Sequence, residues 1–139
     1  MVVERQSIEL KAQGVADIID ITDKVQRAVS KTKVDTGLAS VFVSGSTGAV
    51  TTIEYDSGLV QDMKEAFERL ASEHVEYHHN LTWGDGNGFS HVRAALLGPS
   101  LTVPVSGGNL QLGTWQQIVF IDFDNRPRSR RLSVTVIGE

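Results

Sequence analysis

Apolar and polar positions alternate from Val3 to Ala12, with Ile8 and Leu10 on one face and Glu9 and Lys11 on the other. That period of two predicts a half-buried strand, closed by Gly14. After Ile18-Ile19-Asp20-Ile21, Thr22 stands where a helix N-cap would, and Val25, Ala28 and Val29 follow at helical spacing, so a helix is expected to end near Lys31. Leu38 to Val43 reads as a short strand, Ser44 to Gly48 as a turn, and Ala49 to Tyr55 as a β-branched strand, together a hairpin with a wide, hydroxyl-rich bend. Asp56 or Ser57 then caps the clearest helix, whose apolar stripe is Leu59, Val60, Met63, Ala66, Phe67 and Leu70, with Glu65 able to pair with Arg69. Ser90 can cap a two-turn helix through Val92, Ala95 and Leu96, stopped by Gly98-Pro99. Leu101 to Val105, a Ser106-Gly107-Gly108-Asn109 turn and Leu110 to Phe123 read as a second hairpin, and Asn125-Arg126-Pro127 leads into a last strand ending at Ile137. The pattern as a whole is α+β: antiparallel strands with two or three helices, in one domain over residues 1–139.

Composition narrows the function classes. A chain of 139 residues is long enough to bury a core without staples, and with no cysteine there are no disulfides, thiol nucleophiles or thiolate metal sites. The start, MVVERQSIEL, lacks the apolar stretch of a leader, and no run approaches the roughly eighteen apolar residues of a membrane span. A cytoplasmic protein without a membrane role is the expectation. The net charge of −4 argues against a nucleic-acid partner. Positive charge is local, in Arg126, Arg128, Arg130 and Arg131, which suit a phosphate, a subunit contact or a solvated strand edge.

Candidate chemistry concentrates between Glu76 and Gln117, which holds His78, His79 and His91, both tryptophans and the loop Gly84-Asp85-Gly86-Asn87-Gly88. Several familiar motifs fail there. His74 and His78 have the spacing of a zinc protease helix, but Val75 stands where its general-base glutamate belongs. Asp85-Gly-Asn87 resembles the opening of a calcium loop, yet Phe89 and Leu96 occupy ligand positions. The Gly84, Gly86, Gly88 spacing does not fit a dinucleotide fingerprint. Gly45-Ser46-Thr47-Gly48 offers amide N–H groups and hydroxyls to an anion, or is simply a bend. Trp115 suits a core or an interface, and of Gln116 and Gln117 only one can reach a given face.

Three separated blocks, SHVRAALLGPSLTVPV, LGTWQQI and the terminal SRRLSVTVIGE, resemble the YjbQ family in sequence and order, and the resemblance runs from about Ile8 to Glu139. It implies a strongly bent antiparallel sheet or sandwich with helices, a homotrimer, a histidine-containing pocket that often holds a divalent metal such as zinc or magnesium, and a secondary thiamine-phosphate synthase activity. The family histidines fall on His79, after Tyr77-His78, and on His91, after Ser90; the family glutamate falls on Glu54. Where the family has His-Thr-Ser, this chain has Gly45-Ser46-Thr47, so one imidazole is missing.

Two readings follow. In the first the protein is an enzyme on a small phosphorylated metabolite: His79 and His91 hold a metal or exchange protons, Glu54 and Asp85 orient them, and Ser46, Thr47, Asn87, Trp115, Gln116 and Arg130 contact ligand. In the second it is a non-catalytic trimer that binds a small molecule or supports a partner. The expected strand Leu110 to Phe123, apolar on both faces around Trp115 through Leu112, Ile118, Val119, Phe120 and Ile121, supplies a further reason to expect association, since a small domain has limited means to cover both.

Overall fold

A computed structural model describes all residues, Met1–Glu139. Its elements are β1 (Val2–Ala12), β2 (Asp17–Asp20), α1 (Thr22–Ser30), β3 (Gly37–Val43), β4 (Gly48–Ile53), α2 (Ser57–Leu70), α3 (His78–Trp83), α4 (Gly88–Leu97), β5 (Ser100–Ser106), β6 (Asn109–Leu110), β7 (Gln117–Asp122) and β8 (Arg128–Gly138). The strands form two antiparallel sheets, β1-β8-β3-β5-β6 and β2-β7-β4. The α+β class stands, with four helices and two sheets.

Both expected hairpins are corrected. β3 pairs with β5 and β8 in the five-stranded sheet, whereas β4 pairs with β7 in the three-stranded one, so Ser44–Thr47 carries the chain between sheets. Likewise β5, paired with β3 on one side, has only the two-residue β6 on the other, and the chain crosses to the smaller sheet before β7 begins. Alternation along a strand reports which face is buried but not which neighbour pairs with it. The two sheets are seamed just past α4, where the carbonyl of Gly98 accepts from the Val50 N–H and that of Pro99 from the Val43 N–H.

The core lies in two parts on either side of β7. Ile118 and Phe120 join Val25, Ala28 and Val29 of α1 and the inner face of the larger sheet, while Val119, Ile121 and Phe123 pack with Phe67 of α2 and Ala94 of α4. The doubly apolar run is thus buried within one chain and gives no independent reason for association. The rings of Phe67 and Phe123 meet edge to face at 4.8 Å.

Local chemistry explains most boundaries. Asp56 caps α2, its carboxylate accepting from the Leu59 N–H at 2.9 Å. Thr22 does not cap α1: it is the first helical residue, its N–H and hydroxyl donate to Asp20, and its oxygen accepts from Ile118 N, tying the helix start to β7. Leu70 is 72% exposed, because α2 ends as its stripe rotates away from the sheet, whereas Phe67 is 5% exposed. The Glu65–Arg69 pair is not formed. Glu68 instead accepts from the buried Arg93 at 3.0 Å, and Arg93 also donates to the Ala71 carbonyl, clamping α2 to α4. No helix is long and apolar enough to cross a membrane.

Candidate functional site

The short helix α3 was not expected, since HHNLTW carries no apolar stripe. It ends at Gly84, whose φ of 65° is the left-handed conformation a glycine C-cap adopts without strain and whose N–H returns to the Asn80 carbonyl. Helix α4 begins at Gly88, two residues before the expected cap. The Gly88 N–H donates to Asn80 Oδ1 at 2.9 Å, and a Cβ there would lie 2.5 Å from the Cβ of Tyr77. Glycine therefore lets the two helices close on each other, and their approach sets the rings of His79 and His91 with centroids 4.4 Å apart and planes tilted by 43°.

Asp85 completes this group. Its Oδ1 lies 3.5 Å from His79 Nδ1 and accepts from the Asn87 N–H. His79 Nδ1 is buried without a hydrogen-bond partner. Such an atom is costly unless something outside the chain satisfies it. Two imidazoles and a carboxylate are donor types that suit zinc and similar divalent ions, but their ligand atoms do not all lie within 4.8 Å of one another as those of Glu68, Glu73 and His74 do. A cavity of about 250 Å³ opens beside His91, walled by Gly45, Ser46 and Gly48 on one side and by Ala94, Ala95 and Pro99 on the other.

Beneath it runs a buried polar network. Asp122, fully buried, is held by Arg130 through two bonds, Nε to Oδ2 at 2.7 Å and Nη2 to Oδ1 at 2.9 Å. Arg130 Nη2 also donates to the Thr47 hydroxyl, which donates in turn to Asp124. Asp124 Oδ2 also accepts from Asn87 Nδ2, and Arg128 Nε stands 3.2 Å from it. Asn87 Oδ1 accepts from Ser90 and from the Asn125 N–H, fixing the start of α4 to the end of β7. Burial alone would raise the Asp124 pKa, but bonds from Asn87 and Thr47, the Arg128 charge and the Arg126 N–H together hold it below the usual carboxylate value. The Asp122 hydrogen bonds push Arg130 above the ordinary arginine value, despite its burial.

The expected site residues divide. His79, His91, Asp85, Asn87, Ser46, Thr47 and Arg130 gather at one end of the smaller sheet. Thr47 and Asn87 commit their side chains to the network rather than facing a ligand. Glu54, Trp115 and Gln116 stand at the other end, where Ile53 pairs with Gln117. Gly48, at the cavity, and Glu54 are six residues apart along an extended strand, or roughly 20 Å. Glu54 thus stands away from the histidines of its own chain, and the carboxylate beside His79 is that of Asp85. Gln116 Oε1 accepts from Gly113 N and Gln117 Oε1 from Tyr55 N, while Trp115 is 71% exposed.

Asp122 and Asp124 escaped notice, although their signature is legible: two acids at i,i+2 at the end of an apolar strand, then Arg128 and Arg130 at i,i+2 across a tight turn. On antiparallel chain segments that pattern places two acids against two bases.

Two antiparallel sheets joined by a bent crossover, with two histidines and a carboxylate beside a small cavity where short helices meet the strand ends, define a small α+β class of protein. Residues 6–139 match the profile of a family described as UPF0047 protein YjbQ-like, and the chain belongs to that family. A UPF0047 protein of Methanothermobacter thermautotrophicus is 38% identical over 100% of this chain and 95% of its own length, and one of Archaeoglobus fulgidus is 40% identical over 94% and 98%. Among solved structures, a hypothetical protein of Aeropyrum pernix superposes with a TM-score of 0.91 at 33% identity, covering 98% of this chain and 99% of the other. A protein of unknown function from Sulfolobus solfataricus gives 0.89 at 28% identity, over 99% and 100%.

Proposed function

We propose that the pocket between α3, α4 and the Gly45–Gly48 loop binds a divalent ion together with a small phosphorylated metabolite, and that the protein acts on that metabolite. The observation that carries this reading is the grouping of the His79 and His91 rings, 4.4 Å apart, with the Asp85 carboxylate 3.5 Å from a buried His79 Nδ1 that makes no hydrogen bond within the chain. His79, His91 and Asp85 would hold the ion. When bound, it supplies positive charge against a phosphate or pyrophosphate group.

The chain's own residues do the rest. Ser46 offers a hydroxyl at the cavity wall, and Arg130 presents Nη1 near Gly45, 3.3 Å from where a Cβ would stand. Asp122 fixes the Arg130 guanidinium by two bonds, so it is oriented before a ligand arrives, at a cost in lost rotamer freedom already met in folding. The thiamine-phosphate synthase activity implied by the family resemblance fits this scheme, with a pyrophosphate as the leaving group to be neutralised. It is the finer part of the proposal.

Glu54, Trp115 and Gln116 reach such a pocket only from a second copy, which is how a homotrimer would contribute. Leu81, Trp83, Leu96 and Trp115, each more than half exposed, give apolar surface for that assembly to cover. A second reading, a trimer that binds a small molecule without chemistry, is favoured by Gly45, which leaves that wall without an imidazole. Crystals soaked with a zinc salt and inorganic pyrophosphate test the proposal. Anomalous density between His79 and His91 is the expected result, and density for anion alone would favour the second reading.

A further inference from the structure

On the far side of the larger sheet's first strand, a groove of about 230 Å³ runs between β1 and α1, with Gln6, Ser7, Ile8 and Glu9, the last paired with Arg131, on one bank and Lys24, Arg27 and Lys31 on the other. β1 is an edge strand: it pairs with β8 alone, so for eleven residues its other side has no strand neighbour. Lys24, Arg27 and Lys31 take part in none of the ion pairs of the chain, and all three are exposed. Exposed edges are usually blunted by charge, and β1 itself carries both signs in Glu4, Arg5, Glu9 and Lys11. The bank supplied by α1, in contrast, is positive only.

We propose that this groove is a docking surface for an extended acidic segment of a partner protein, which adds as a strand to the β1 edge. Lengths agree with that occupant. Residues 6 to 9 of an extended strand span about 10 Å, and the seven steps from Lys24 to Lys31 on a helix rise about 10 Å, room for three residues of extended peptide. Arg27 and Lys31 are about 6 Å apart along the helix, close to the roughly 6.6 Å between alternate residues of a strand, so carboxylates at i and i+2 of the segment meet them in turn. A single phosphate would need cations converging on a point, and these are spread along a line. Backbone pairing to β1 supplies affinity while the alternate carboxylates supply selection, as in other strand-addition modes.

The test uses the full-length protein and a fluorescein-labelled hexapeptide of alternating Glu and Val, followed by fluorescence anisotropy. Saturable binding is expected, weakening as salt rises, and falling at least about tenfold in Arg27→Glu, whose circular dichroism and melting should match the parent. The same peptide N-methylated at alternate residues should not bind, because strand addition needs its N–H groups. A Lys and Val peptide should not bind either. Equal binding of the N-methylated peptide, displacement by millimolar inorganic phosphate alone, or unchanged affinity in both Arg27→Glu and Lys31→Glu would overturn the proposal. So would a shift to dimers through this face that Arg27→Glu reverses in sedimentation, since the occupant would then be a second copy.

Discussion

The imidazoles of His79 and His91 lie 4.4 Å apart, tilted by 43°, although twelve residues and a helix boundary separate them in the chain. What joins them is the closure of α3 onto α4 at Gly88, backed by the Asn80 carboxamide. That closure is testable. Gly88→Ala puts a methyl against the Cβ and ring base of Tyr77 and the Asn80 carboxamide, so it should lower the melting temperature and weaken ligand or metal binding together. His91→Ala should weaken binding with a much smaller change in melting, because it removes a half-exposed side chain from the wall of an open cavity. Parallel thermal and binding titrations of the two variants check the distinction.

Arg130 and Asp122 behave as a unit. Arg130→Ala leaves a fully buried carboxylate without its two strongest donors, and a loss of about 3–5 kcal/mol is expected from denaturant unfolding. Replacing both, with Arg130→Met and Asp122→Leu, should cost less than the single change, because no buried charge is left unpaired. A double variant as damaged as the sum of its parts would contradict this account.

Asp124 gives the pH dependence its direction. Its pKa in the folded chain lies below the unfolded value, so the folded state holds the carboxylate ionised while the unfolded chain takes up a proton. The stability it contributes is complete above the unfolded carboxylate pKa near 4, and is lost as pH falls through the lower folded value. Urea midpoints measured from pH 7 down to pH 3 should therefore fall more steeply for the parent chain than for Asp124→Asn.

Helix α2 carries a simpler prediction. Phe67, buried against Phe123, should cost about 3–5 kcal/mol on truncation to Ala, whereas Leu70→Ala should stay within about 0.5 kcal/mol. Chemical denaturation of the two variants measures both.

The contrast between Phe67 and Leu70 also marks how far the sequence could be read. A helical stripe shows which residues share a face, but where the helix leaves its support depends on the packed neighbours. The strands were legible as strands, yet Ala49 to Ile53 and Leu38 to Val43 joined different sheets, since period-two alternation is silent on pairing. Ile118 to Ile121 looked in need of a partner chain because a single strand does not reveal that a second core lies behind it. The proximity of His79 to His91 and Asp85 was legible through the family motif and the loop between them. Glu54 was misplaced for the opposite reason: closeness to a motif in an alignment of blocks carries no information on which end of a strand faces the pocket. Asp122 and Asp124 were passed over because acids within an apolar run read as a strand edge until Arg128 and Arg130 are seen to return beside them.

The central claim, that His79, His91 and Asp85 form a divalent-ion site, is tested most directly by isothermal titration of zinc into protein purified without a metal-affinity tag and stripped with chelator. One ion per chain is the predicted stoichiometry, with affinity reduced at least about a hundredfold in His79→Ala and in His91→Ala, the loss expected when a ligand of a three-donor site is removed. Absence of stoichiometric binding, or binding that survives loss of both histidines, would contradict the account.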